Sequence, residues 1–228
     1  VKDNVEAWFE VQPIKWRILT KKYDGKNISY LMSEQLLASS CFYIDSSASQ
    51  ANDYAKEDNY LRDYLTNVFY QDAFSSTDIS RIVGRNLTES DLYPRTHSES
   101  TEVALSDQKV FAPTYNDMLT KEYGFTTTEE PEGDTTQEMI ENSDKARLKS
   151  PTDFAIANYV MTLNISVLSE YLGTMDRPDG CVEYLFYTCS SGSSASYAYT
   201  VNTAGAVYGD YMAYYTYPGV CPALLFNL

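Results

Sequence analysis

Histidine is nearly missing from this chain: His97 is the single one among 228 residues. That scarcity removes whole classes of chemistry. A serine or cysteine nucleophile needs a base beside it. His97 lies in the polar stretch Pro94-Arg95-Thr96-His97-Ser98-Glu99, the setting of a solvent-exposed loop residue. Cysteine is sparse too. Cys41, Cys181, Cys189 and Cys221 show none of the close CxxC or HxxxH pairs that a zinc site uses. Four cysteines leave two disulfides in any of three connectivities, or four buried thiols. Basic residues are few, 17 against 32 acidic ones for a net charge of −15. Nucleic acid is therefore not an expected partner, because phosphates need a basic stripe. Anionic membrane surfaces are disfavoured for the same reason. No apolar run approaches the roughly 18 residues of a membrane span, so no membrane insertion is expected.

What is present reads as strands, then helices, then strands. Ala7–Val11 and Lys15–Leu19 are short, aromatic and β-branched, with Pro13 between them. Tyr23-Asp24-Gly25-Lys26 is an Asp-Gly turn signal, and Ile28–Ser33 is the returning strand. The period then changes. Leu61, Leu65, Val68 and Phe69 fall on one helical face, with Asp58 or Asn59 as the cap. A short helix is expected over Ser75–Ile82. Thr114 and Asp117 form a capping-box signature for a helix over Tyr115–Glu122. Ser150-Pro151-Thr152-Asp153 signals a further start, with Ser150 as cap. The segment 126–144, TTTEEPEGDTTQEMIENSD, is acidic, poor in apolar residues and read as a surface loop. Its spacing is not that of an EF-hand. The tail returns to strands over Val182–Thr188, Ser196–Asn202, Ala206–Tyr208 and Cys221–Phe226, with Gly205 free to adopt φ > 0 in a hairpin turn. The expectation is one α+β domain over 1–228, with mixed and antiparallel sheets, a few flanking helices, and terminal strands that pair.

Several blocks carry a resemblance. The chain opens with Phe9-Glu10-Val11-Gln12-Pro13-Ile14-Lys15-Trp16-Arg17-Ile18-Leu19. Tyr60-Leu61-Arg62-Asp63-Tyr64-Leu65 and Pro151-Thr152-Asp153-Phe154-Ala155 follow. Tyr199–Val207 and Pro218-Gly219-Val220-Cys221-Pro222-Ala223-Leu224 close it. Together they resemble an uncharacterised domain family of secreted and cell-surface proteins from gut-type Gram-positive bacteria, which opens with "PIKWRVL" and ends with "GVRPALWLNL". That family is similar to the C-type-lectin-like fold, in the branch that includes formylglycine-generating enzyme. The resemblance implies this fold and an extracellular or cell-surface location. Cys189 and Cys221 stand where the family carries arginines. The paired replacement implies a Cys189–Cys221 disulfide, and with it Cys41–Cys181.

No catalytic constellation, metal site or cofactor is expected. Cys189 and Cys221 do not match the formylglycine active-site pattern. Glu130-Pro131-Glu132 is only superficially like a lectin calcium loop, and no Trp-Asn-Asp strand accompanies it. The positive signal is the tail. Nine tyrosines lie between Tyr184 and Tyr217. Tyr197, Tyr199, Tyr208, Asp210, Tyr211, Tyr214, Tyr215 and Tyr217, set among small polar residues, make up the composition of a recognition surface. The expectation is a non-catalytic module that binds a glycan or protein ligand there, possessing the bias of a diversified receptor. A hydrolase acting on polysaccharide through a carboxylate pair and a structural spacer domain are the alternatives.

Overall fold

The computed structural model describes residues 8–10, 12–44, 53–94, 104–129, 144–156, 185–202, 205–215 and 218–228. Its first hairpin follows from two residues. Asp24 (φ 51°) and Gly25 (φ 70°) are both left-handed, the backbone of a type I′ turn. The amide of Lys26 donates to the Tyr23 carbonyl at 3.0 Å, closing it. The turn joins β1 (Trp16–Thr20) to β2 (Ser29–Ser33) in antiparallel register, as the Asp-Gly signal predicts. Residues 8–10 form no strand, which corrects the expected strand ahead of Pro13. Phe9 instead packs edge-on against Phe154 at 5.5 Å.

The remaining strands are β3 (Gln35–Leu36), β4 (Ala38–Ser39), β5 (Ile82–Val83), β6 (Arg85–Leu87), β7 (Leu105–Gln108), β8 (Val110–Phe111), β9 (Ser150–Pro151), β10 (Phe186–Ser191), β11 (Tyr197–Val201), β12 (Val207–Met212), β13 (Gly219–Val220) and β14 (Ala223–Phe226). One sheet has the order β1-β2-β14-β5, with β8 also on β14; the other runs β12-β11-β10-β13-β4. Most pairs are antiparallel, while β10–β13 and β3–β9 are parallel. Mixed sheets with few helices make the fold α+β. The last strand β14 pairs with β2, so it joins the sheet of the first hairpin as expected. After Val220 the chain leaves the second sheet and joins the first at Ala223. One cluster of buried side chains runs between the sheets, including Tyr30, Phe42, Tyr54, Leu65, Phe111, Phe186 and Leu224.

The helices follow their caps. Asn59 accepts from the Arg62 amide at 2.9 Å and starts a helix that is α-helical over Tyr60–Asp63, π-helical over Tyr64–Phe69 and α-helical again over Tyr70–Asp72. The wide turn shifts the buried face. Leu61, Leu65 and Phe69 are buried, but Val68 is 44% exposed. The regular α-helical spacing that places Val68 in the core is thereby corrected, because a π-turn inserts one residue. Capping boxes at Ser75, Thr88 and Thr114 start the short helices Ser76–Ile79, Glu89–Leu92 and Tyr115–Met118. Ser150 is not a cap. Ser150 and Pro151 pair with Gln35 and Leu36, and Thr152 caps the helical turn at 153–156 by accepting from the Ala155 amide at 3.1 Å. Among the described residues no helix is long and apolar enough to cross a membrane.

Candidate functional site

The tyrosine-rich tail is built on the edge strand β12. Its register with β11 breaks once. Tyr197↔Met212 and Ala198↔Tyr211 lie on one side, Thr200↔Tyr208 and Val201↔Val207 on the other. Between them Gly209 and Asp210 oppose the single residue Tyr199, a two-against-one bulge. The extra residue decides the face. Tyr208 and Tyr211 are three apart and would point to opposite faces in a regular strand. The bulge puts both on the face that carries Ala198 and Thr200, and also Tyr187, which opposes Thr200 from β10. Gly209 is required there: a Cβ on it would come within 2.7 Å of the Tyr199 ring. Asp210 accepts from the Ser193 hydroxyl, tying the bulge to the neighbouring loop.

A file of rings then runs from core to surface. Phe42 contacts Tyr54 at 5.8 Å and Tyr187 at 5.2 Å. Tyr187 meets Tyr211 at 6.3 Å, Tyr211 meets Tyr215 at 5.5 Å, and Tyr215 meets Tyr214 at 5.1 Å. The last three contacts are edge-to-face, the arrangement aromatic quadrupoles favour. The Tyr187 phenol donates to the carbonyls of Met212 and Tyr215, pinning the turn after β12. The outer rings are thus held by the core.

The predicted surface is partly redrawn. Tyr208 and Tyr215 are 40% and 36% exposed. Asp210 is exposed, and Tyr197, Tyr211 and Tyr214 are half-buried. Tyr199 is 1% exposed, with its ring 4.5 Å from Tyr115. It is a core residue, which corrects its place among ligand-binding side chains: on β11 it faces the opposite way from Ala198 and Thr200. Tyr211 belongs to β12, not to a loop. Tyr217 lies outside the described residues, as do Tyr184 and His97.

The expected Cys189–Cys221 disulfide is also corrected. Cys41, Cys189 and Cys221 are free and buried. β13 touches β10 only at Phe186↔Gly219. Cys221 then sits at the crossover between sheets, its sulfur 3.4 Å from the Ser33 hydroxyl, while Cys189 lies farther along β10. Cys181 lies outside the described residues. Burial pushes the Cys41 thiol up to about 11 and raises Cys189 and Cys221, so all three are weak nucleophiles.

Two arginines that sequence reasoning passed over organise the rest. Arg85 is 5% exposed and donates to Asp117 at 2.7 Å and Asp91 at 3.3 Å. Both acids are capping-box residues, so one guanidinium joins two helix starts. Tyr30 donates to the same Asp117 oxygen at 2.8 Å, and the guanidinium packs against the rings of Tyr23, Tyr30 and Phe111. These carboxylates are occupied in capping and ion pairing, which gives no support to a hydrolytic pair. Arg147 is 1% exposed and fastens both flanks of the acidic segment. The pattern Thr-x-x-Asp at 88–91 and 114–117 is the sequence signal for the two acids; nothing local marks Arg85 as their shared partner. No group of three or more His, Cys, Asp or Glu side chains among the described residues is placed to hold a metal ion. No protein-family model, curated protein or solved structure matches this chain.

Proposed function

We propose that this domain is a non-catalytic recognition module of the extracellular or cell-surface kind, built on a C-type-lectin-like fold, that binds a glycan or protein ligand through Tyr208, Asp210, Tyr211, Tyr214 and Tyr215. The observation that carries the reading is the ring file from Phe42 through Tyr187 to Tyr214. Aromatic side chains offer large contact area at low entropy cost, and less is lost when they are ordered before binding. The pairing of β14 with β2 accords with the fold. The cell-surface location rests on the sequence resemblance, since the expected Cys189–Cys221 bond is not formed.

The test is a glycan and surface-protein array probed with wild type and with a Tyr208→Ala, Tyr214→Ala, Tyr215→Ala triple variant. These three rings leave the Tyr187–Tyr211 contact in place, so the variant keeps its anchor. A hit lost in the folded variant supports the reading. No hit, or one the variant retains, overturns it and favours a spacer domain.

A further inference from the structure

A second site lies on the other sheet. The β1–β2 turn and the β5–β6 segment enclose a cleft of about 460 Å³ lined by Tyr23, Asp24, Lys26, Arg85, Asn86 and Tyr123, among others. That size falls within the roughly 300–1,000 Å³ of small-molecule sites. The type I′ turn sets Tyr23 on one side. The ring of Tyr23 stands edge-on to buried Tyr30 at 5.7 Å, and the ring of Tyr123 stands edge-on to the same residue at 5.3 Å. Two half-buried phenols therefore flank one buried ring. Neither the Tyr23 nor the Tyr123 hydroxyl bonds to a described residue, and neither is a fully buried atom, so both are open to a ligand from solvent. The Asn86 side-chain oxygen accepts from the Asp107 amide at 3.0 Å, which leaves its NH₂ group to donate elsewhere.

The charges select the ligand. Arg85 is countered by Asp91 and Asp117, and Lys26 by Asp24 at 3.6 Å. No cationic excess is left to attract an anion. Burial pushes the Tyr123 phenol up to about 12 and raises that of Tyr23, so both remain donors at neutral pH. Ring surface, two neutral hydroxyls, an amide and one exposed ion pair match a ligand rich in hydroxyls and without charge. We propose that this cleft binds a neutral mono- or disaccharide between Tyr23 and Tyr123, independently of the tyrosine surface on β12.

Saturation-transfer NMR on the whole chain, with a panel of neutral and anionic mono- and disaccharides, tests it. The variants are Tyr23→Phe with Tyr123→Phe, which removes only the two hydroxyls, and the Tyr208, Tyr214, Tyr215 triple alanine variant. The expected result is saturation of a neutral sugar. Its affinity falls about tenfold or more in the double Phe variant, at an unchanged unfolding midpoint, and is unaltered in the triple variant. Absence of saturation at millimolar sugar, preference for anionic sugars, or unchanged affinity in the double Phe variant would overturn the proposal. Loss confined to the triple variant overturns it too, while leaving the β12 surface as the binding site.

Discussion

Replacing Arg147 with alanine removes one side chain and four hydrogen bonds to backbone carbonyls. Its Nε donates to Met118 at 2.8 Å, Nη1 to Thr128 at 3.0 Å and Gly205 at 3.1 Å, and Nη2 to Thr126 at 2.6 Å. Asp144 lies 3.4 Å from Nε and accepts from the Thr126 amide at 2.7 Å. The guanidinium thus ties together the helix end at Met118, both flanks of the acidic segment, and the β11–β12 turn. Each bond from a charged donor is worth about 1.5–3 kcal/mol, and carbonyls left buried without a donor add a penalty. The four are not additive, because the flanks relax together; removing one partner from a buried charged network costs about 3–5 kcal/mol. Lysine keeps the charge but offers a point donor in place of a planar fork. It should recover no more than about half of the loss. Equilibrium urea unfolding, followed by tyrosine fluorescence and far-ultraviolet circular dichroism, measures both variants. A cost below about 1 kcal/mol for Arg147→Ala would refute the reasoning.

The other predictions are smaller in scope. Leu65→Ala should cost about 2–5 kcal/mol and Val68→Ala under about 0.5 kcal/mol; equal costs in denaturant unfolding would show that the π-helical register is wrong. Tyr187→Phe loses the donor that two carbonyls after β12 share and should destabilise by about 1–2 kcal/mol, with faster amide exchange at Tyr215 as its local signature. Unreduced protein unfolded in denaturant should release the thiols of Cys41, Cys189 and Cys221 to a colorimetric thiol reagent, while native protein reacts slowly; fewer than three reactive groups on unfolding would restore a disulfide. Stability should hold to about pH 9 and fall as pH rises above 10. Tyr123 is pushed up to about 12 and Cys41 to about 11, and burial also raises Tyr30, Tyr43 and Tyr54. Their folded forms hold protons that the unfolded chain gives up first, so ionisation favours unfolding. A flat denaturant midpoint between pH 9 and 11 would contradict this.

Local chemistry was legible in the sequence wherever one residue type admits few conformations. Asp24-Gly25 dictated the turn, because two consecutive left-handed residues suit that pair. Asn59, Ser75 and Thr114 dictated helix starts, because their side chains accept from amides that would otherwise lack partners. The alternation in Ile28–Ser33 and the apolar run before Phe226 announced strands. Tertiary structure decided what these elements do together. Ser150 lost its capping role once its backbone paired with Gln35, and Val68 turned outward where the helix takes its π-turn. The exposure of the tail tyrosines depended on the bulge at Gly209 and Asp210: strand side chains alternate with period two, so one extra residue reassigns every ring beyond it. Arg85 and Arg147 were invisible as organisers for a different reason. A guanidinium chooses its acceptors in space, and those acceptors come from segments up to 58 residues away along the chain, a distance over which local pattern carries no information.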